Sequence, residues 1–400
     1  MSGIRPFRGM VVRPEVAHDV VSPAYDALTV SQRRQFRLDH PDSYLHVTRS
    51  AADEPDADTV DNITLVNRGR AALEQILSKN LFTTHGEPAF YVYRLTEAGH
   101  SQYGVVCEVG AEYFAAVAQP HEQTEQLRAA LLAEHFLTVR AASSPIACAV
   151  RDTGDLEDVL RSAAVGDSVL DMTGADGLRQ TIWRVSDPDV AEALSAAVDH
   201  ASLFIIDGHH RAAANQHILD TGTSLPVLAV VFPEQSLHLV GFHRLVRLPD
   251  ALDETTLLHG LRRRFSVEAT SDVASVAAGS IATFLLGEWQ IVRFDERPVS
   301  GDSGIRLGSL DPVVFEREVL QSIVGAAGDV DVSYMPDVEP FATMVAIADS
   351  ERRVPFFVPP VSMDDLMAVA TGGRVMPPKS TYFTPKVRSG LFLRLLDELI

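Results

Sequence analysis

Hydrophobic and polar positions along this chain repeat with a period near 3.6 in some stretches and near two in others. The switches between the two lay out a mixed order of helices and strands. From about Ile63 to Lys79, residues Leu65, Gly69, Ala72, Leu73, Ile76 and Leu77 make one apolar stripe and predict a helix buried by that face. Ala89 to Arg94 and Tyr103 to Val109 read as strands joined through Gly99, a hairpin. A polar turn from Gln119 to Thr124 opens a long helical segment to about Arg140, and strands follow at Pro145 to Val150 and Thr181 to Val185. Asp187-Pro188 caps the next helix, with proline tolerated in a first turn that lacks amide partners anyway. Leu225 to Phe232 and Gly241 to Val246 are further strands. Beyond them the pattern gives a helix near 254–265, strands near 281–294, 330 and 354–358, a gap from Pro298 to Gly304, and helix starts at Asp311-Pro312 and Ser362 to Asp365.

Two stretches carry no such face. Ser22-Pro23-Ala24-Tyr25-Asp26 is a turn leading into a helix at Thr29 to Gln32, and Ser50 to Asp61, with Asp53, Glu54, Asp56, Asp58 and Asp61, reads as a solvated acidic loop. The segment Met376 to Lys386 is polar and proline-punctuated, and reads as an ordered loop.

The densest chemistry lies where one pattern gives way to the other. Leu203-Phe204-Ile205-Ile206 predicts a buried strand, Ala212 to Leu219 is helical by propensity, and Asp207-Gly208-His209-His210-Arg211 stands between them. Gly208 permits a backbone geometry closed to other residues, a helix start is electropositive, and Arg211 can fork onto phosphate or carboxylate oxygens. This predicts a phosphate-handling loop in which Asp207 orients a histidine or holds a metal-bound water, and His209 or His210 donates to a phosphoryl group. A metal held by histidine is the weaker reading, because His210 and His217 share a helical face but no third ligand stands at metal spacing.

Composition narrows the field. The chain has 400 residues, enough for two domains without disulfides, and a formal charge of −20 that argues against nucleic acid and anionic membrane as partners. Cys107 and Cys148 lack a CxxC and read as packed thiols. No run approaches the roughly eighteen apolar residues of a membrane span and no apolar segment follows the basic start, so a cytoplasmic location is expected.

Other candidates are weaker alone. His121-Glu122-Gln123-Thr124-Glu125 lacks the second histidine of a zincin helix, which leaves Glu122 as a general base for a hydroxyl. Lys379-Ser380-Thr381 can neutralise and hydrogen-bond a phosphate but lacks the glycines of a Walker A loop. His243-Arg244 is a candidate to line the same cleft, and Arg262-Arg263-Arg264 reads as a solvated face.

Ile4 to Arg8, Ser22 to Asp26, His121 to Thr124, Ser186 to Pro188, Asp207 to Arg211 and Lys379 to Phe383 together resemble, in that order, the bacterial family called domain of unknown function 1015. The Asp-Gly-His-His-Arg box also resembles the second box of the ParB/sulfiredoxin-like fold, whose members include free-serine kinases, CTP-binding partition proteins and ATP-using sulfiredoxins. The resemblance implies nucleotide phosphates at Gly208 and Arg211, with Glu122 deprotonating an acceptor. Ala212 and Ala213 depart from the aromatic and acidic residues the family places there, and Leu131 and Leu132 stand where an arginine is expected nearby.

The expectation is therefore an α/β protein with a mixed-sheet ParB/sulfiredoxin-like core in residues 1–248 and a C-terminal α/β domain in 249–400 whose last loop closes the cleft. Its expected function is a nucleotide-dependent phosphotransferase using ATP or ADP with Mg²⁺ on a small hydroxylated metabolite such as free serine. The expected site is Glu122, Asp207, His209 and His210 as catalytic residues, with Gly208, Arg211, Lys379, Ser380 and Thr381 on the nucleotide. A nucleotide or metabolite sensor is the alternative, and a ParB-like nuclease a third class disfavoured by the acidic charge. The acceptor and the oligomeric state are open.

Overall fold

The computed structural model describes residues 3–25, 28–56, 59–151, 155–294 and 307–396. Asp26, Asp58 and the gap from Pro298 to Gly304 lie outside the described residues. The chain forms two compact units: the first comprises Met1–Gln119, Thr124–Leu237 and Pro385–Ile400, the second Pro120–Gln123 and His238–Thr384. The expected division was consecutive, at residue 248. The observed one is not: the main change of unit falls after Leu237, a four-residue piece at 120–123 joins the second unit, and the last segment belongs to the first.

The first unit is built on a mixed nine-stranded sheet. Its order along one path is 118–119, 203–207, 146–150, 227–233, 100–109, 90–97, 179–185 and 170–173, with Ile4–Arg5 pairing on His100–Val109. Val227–Pro233 lies in the interior of this sheet, parallel to Ile146–Val150 and antiparallel to His100–Val109, and every one of its residues is buried. That burial explains its unbroken apolar sequence, since a strand covered on both faces has no solvent side to make polar. The hairpin is as expected, with Phe90–Glu97 and His100–Val109 joined through Ala98 and Gly99, both at positive φ. Helices at 155–163 and 188–198 pack through Leu156, Leu160, Leu194 and Val198 into the same core as Cys107 and Cys148. Both thiols are reduced and buried, and burial pushes Cys148 up to about 12.

The acidic loop corrects an expectation. Asp53 and Glu54 are buried, not solvated. Asp53 accepts from Arg33 Nε at 2.8 Å and from the Tyr25 hydroxyl at 2.6 Å, while Glu54 accepts from Arg37, Arg49 and Arg68, each at 2.9 Å. Arg33 and Arg37 are one turn apart on the Val30–Asp39 helix, whose start carries a Thr29/Gln32 capping box. The acids read as solvated because their partners stand elsewhere in the sequence.

The second unit carries a six-stranded antiparallel sheet in the order 266–270, 288–293, 280–285, 354–357, 242–247, 331–336. The Glu254–Arg264 helix and the Phe315–Val324 helix cover one face through Leu257, Leu261, Phe315, Val319 and Val324. Arg262, Arg263 and Arg264 are exposed, as expected of a solvated face. The polar segment near the end is only partly loop, because Tyr382–Thr384 pairs antiparallel with His238–Val240. Among the described residues no helix is long and apolar enough to cross a membrane.

Candidate functional site

In the first unit, the Leu203–Asp207 strand runs antiparallel to Ile146–Val150, with a register shift between Ile205 and Asp207 that ends the regular ladder at the acid. Gly208 follows at φ 98°, ψ 28°, and the helix His209–Asp220 begins at once. The helix thus starts three residues earlier than propensity alone indicates, and His209, His210 and Arg211 form its first turn. Glycine at the N-cap brings no side chain to the first-turn amides, so the electropositive end of the helix is not closed by a cap of its own.

Arg211 is the bracket of this turn. Its Nη1 donates to the carbonyls of Ser144 and Pro145, both at 2.7 Å, and its Nη2 donates to Asp207 Oδ2 at 2.5 Å. The guanidinium lies so close to Gly208 that a Cβ there would sit 2.8 Å from Nη2. Only glycine meets both demands at this position, the left-handed backbone and the close approach. The other carboxylate oxygen, Asp207 Oδ1, accepts from Lys386 Nζ at 2.8 Å. Two cations therefore face one carboxylate.

His209 is buried, and desolvation, with the charges of His210, Lys386 and Arg211 behind it, pulls its pKa down to about 3. It is a neutral imidazole at physiological pH. His210 Nε2 accepts from the Glu125 backbone N–H at 3.2 Å, so in its neutral form the proton sits on Nδ1. Glu125 is the N-cap of the Gln126–Val139 helix, and the bond ties the starts of two helices together.

The remaining expected residues belong to the second unit. Glu122 pairs as an isolated parallel bridge with Met376, the Met376 N–H donates to the His121 carbonyl, and Gln123 N–H donates to Met376 O. The hydroxyls of the Lys379-Ser380-Thr381 triplet are turned inward. Ser380 Oγ donates to the Pro377 carbonyl at 2.7 Å, and Thr381 Oγ1 is 2.8 Å from Nε2 of the fully buried His121. Lys379, at φ 59°, holds its ammonium 5.2 Å from the Phe242 ring centroid. His243 and Arg244 are both buried.

A family model with the description "Protein of unknown function (DUF1015)" matches residues 4–312. The chain belongs to this DUF1015 family. The matched span includes Asp207 to Arg211 and His121-Glu122, while Lys379 to Lys386 lie beyond it. No curated protein matches the chain. Among solved structures, a point variant of free serine kinase in complex with AMP is 13% identical, with 74% of this chain and 94% of that chain covered and a TM-score of 0.38. SbnI with a C-terminal truncation, from Staphylococcus aureus, is 14% identical, with 71% and 85% covered and a TM-score of 0.39. A conserved hypothetical protein from Pyrococcus furiosus is 14% identical, with 74% and 97% covered and a TM-score of 0.37.

The residue that sequence reasoning missed beside the Asp207–Arg211 turn is Lys386. Its signal was faint: a lysine after proline at the end of a polar stretch, where Pro385 O accepts from the buried Gln102 side chain and fixes the lysine's backbone. Its partner Asp207 is 179 residues away. Among the described residues no group of three His, Cys, Asp or Glu side chains is placed to hold a metal.

Proposed function

We propose that the first unit binds a nucleotide phosphate at the start of the His209–Asp220 helix. On this reading the protein is a nucleotide-dependent phosphotransferase for a small hydroxylated metabolite, with free serine the first acceptor to test. One observation supports it above the rest: a left-handed glycine at the N-cap, next to a carboxylate already matched by Arg211 and Lys386. An anion arriving there meets first-turn amides and the helix dipole, and Asp207 does not repel it because two cations neutralise that carboxylate. Arg211 acts in this scheme by holding the turn in shape, since three of its donors are occupied by Ser144, Pro145 and Asp207. Mg²⁺ would come with the nucleotide, held chiefly by phosphate oxygens and by one or two carboxylates at most. Asp207 does not fit that role, with both oxygens engaged by cations.

Calorimetric titration with ADP should show saturable binding that Arg211→Ala loses, and undiminished binding in a folded Arg211→Ala variant sinks the loop assignment. Incubation with labelled ATP and a pool of amino acids should then yield a phosphorylated product. A nucleotide sensor is the second reading, favoured by the same engagement of Asp207 and by the neutral His209, which leave the loop better suited to holding an anion than to moving protons. Binding without turnover selects it.

A further inference from the structure

Arg244 is the largest side chain among the fully buried residues, at 1% exposure. It lies on the strand Phe242–Arg247, where alternation puts Phe242 and Arg244 on the opposite face from His243. Its Nη1 donates to the Phe242 carbonyl. Its Nε is buried without an acceptor, and among the described residues Nη2 makes no hydrogen bond either. The guanidinium carbon lies over the rings of Phe315 and Tyr334, 5.7 Å from each centroid. No carboxylate is paired with it among the described residues, and Glu316 acts on it only through its field. Burial brings its pKa down to about 10, so it stays charged at neutral pH.

The ring contacts explain why a guanidinium rather than an ammonium stands here, because its flat and weakly hydrated cation sits well on aromatic faces. They do not explain the empty edge. Nε and Nη2 form the side-on fork of arginine, two parallel donors that match the two oxygens of a carboxylate, and a charged group whose buried Nε–H has nothing on it is costly to keep. We propose that this fork is a binding site for the carboxylate of a small organic acid or amino acid. One guanidinium charge balances one carboxylate charge. A phosphate monoester would bring nearly two charges and a third oxygen into surroundings made by Phe242, Phe315 and Tyr334, which supply a single phenol donor.

Entry is by way of Tyr334. It is the register partner of Arg244 across the antiparallel pair, it stands on the edge strand Asp331–Pro336, and it is 36% exposed while the arginine beneath it is not. Rotation of one edge-strand side chain therefore uncovers the fork without breaking the sheet. The site lies within the second unit and does not depend on nucleotide binding in the first.

The test uses the full chain with arginine side chains labelled with ¹⁵N. The Arg244 Nε–H resonance is assigned by its loss in Arg244→Lys, and sodium acetate, glycine and inorganic phosphate are titrated separately at constant ionic strength. Acetate and glycine should shift that resonance saturably, and phosphate at equal concentration should leave it in place. Equilibrium dialysis should show carboxylate binding weakened about tenfold or more in Arg244→Lys, which keeps the charge but lacks the fork. Arg244→Met should lose binding and raise the thermal midpoint, since it removes a buried charge without a partner, whereas a merely structural arginine would lower the midpoint when replaced. A resonance unmoved by the carboxylates, one moved equally by phosphate, or a lowered midpoint in Arg244→Met overturns the proposal.

Discussion

Arg211, partly buried, and Arg244, fully buried, stand in different units, and the sequence presents them alike, each directly after a histidine. Their surroundings separate them. Arg211 gives three hydrogen bonds to two carbonyls and a carboxylate, and that carboxylate takes a second cation in Lys386. Arg244 gives one bond to a neighbouring carbonyl and otherwise meets rings. A satisfied guanidinium fixes the shape of a loop, and the loop's backbone then does the binding. An unsatisfied one keeps its directional donors for something that arrives later. The lesson is to count what each donor already holds before assigning an arginine to a ligand.

Four perturbations break or sharpen this contrast. The largest expected effect is acidification. The unfolded His209 titrates near 6.5 and the folded one near 3, so this group costs nothing above pH 6.5 and penalises the folded first unit progressively as pH falls toward 3. A single proton bound only by the unfolded chain lowers stability by about 1.4 kcal/mol for each pH unit in that window. Urea unfolding followed through Trp183 in a Trp289→Phe background should fall more steeply with acid than in the same chain carrying His209→Gln, and identical slopes would dismiss the assignment. Arg211→Ala comes next, with a loss of about 3 kcal/mol, because two carbonyls lose their donor and Asp207 loses one of its two cations. Gly208→Ala should cost about 2 kcal/mol through the left-handed backbone and the displaced guanidinium, and should weaken ADP binding in the same measurement. Thr381→Val, at about 1 kcal/mol, removes a hydrogen-bond partner of the buried His121 Nε2 in the second unit and should leave ADP binding by the first unit unchanged. Chemical denaturation reads all three substitutions, and a neutral Arg211→Ala would remove the distinction between the two arginines.

Much of the fold was legible in advance because periodicity is a local property. The stripe of Leu65, Gly69, Ala72, Leu73 and Ile76 is buried as one face of a helix, the hairpin of Phe90–Glu97 and His100–Val109 forms where the alternation and Gly99 place it, and Asp187 caps a helix with Pro188 in its first turn. Charge partners were less legible. Asp53 and Glu54 looked solvated and are gripped by four arginines, and Ser380 and Thr381 looked ligand-facing and are turned inward on Pro377 and His121. A charged or hydroxyl side chain carries no periodic signal that says which distant residue it will meet.

The sequence alone determined that a buried strand would stop at Asp207 and give way to a helix, and that glycine was needed between them, since apolar runs, helix propensity and backbone sterics act within a few residues. Only the tertiary structure decided what those residues are free to do. Lys386 reaches Asp207 from 179 positions away, Thr381 reaches His121 from 260, and Tyr334 covers Arg244 across a strand pair. Electrostatic pairing and hydrogen bonding depend on distances of a few ångströms in space, and those are set by how the sheets bring remote segments together.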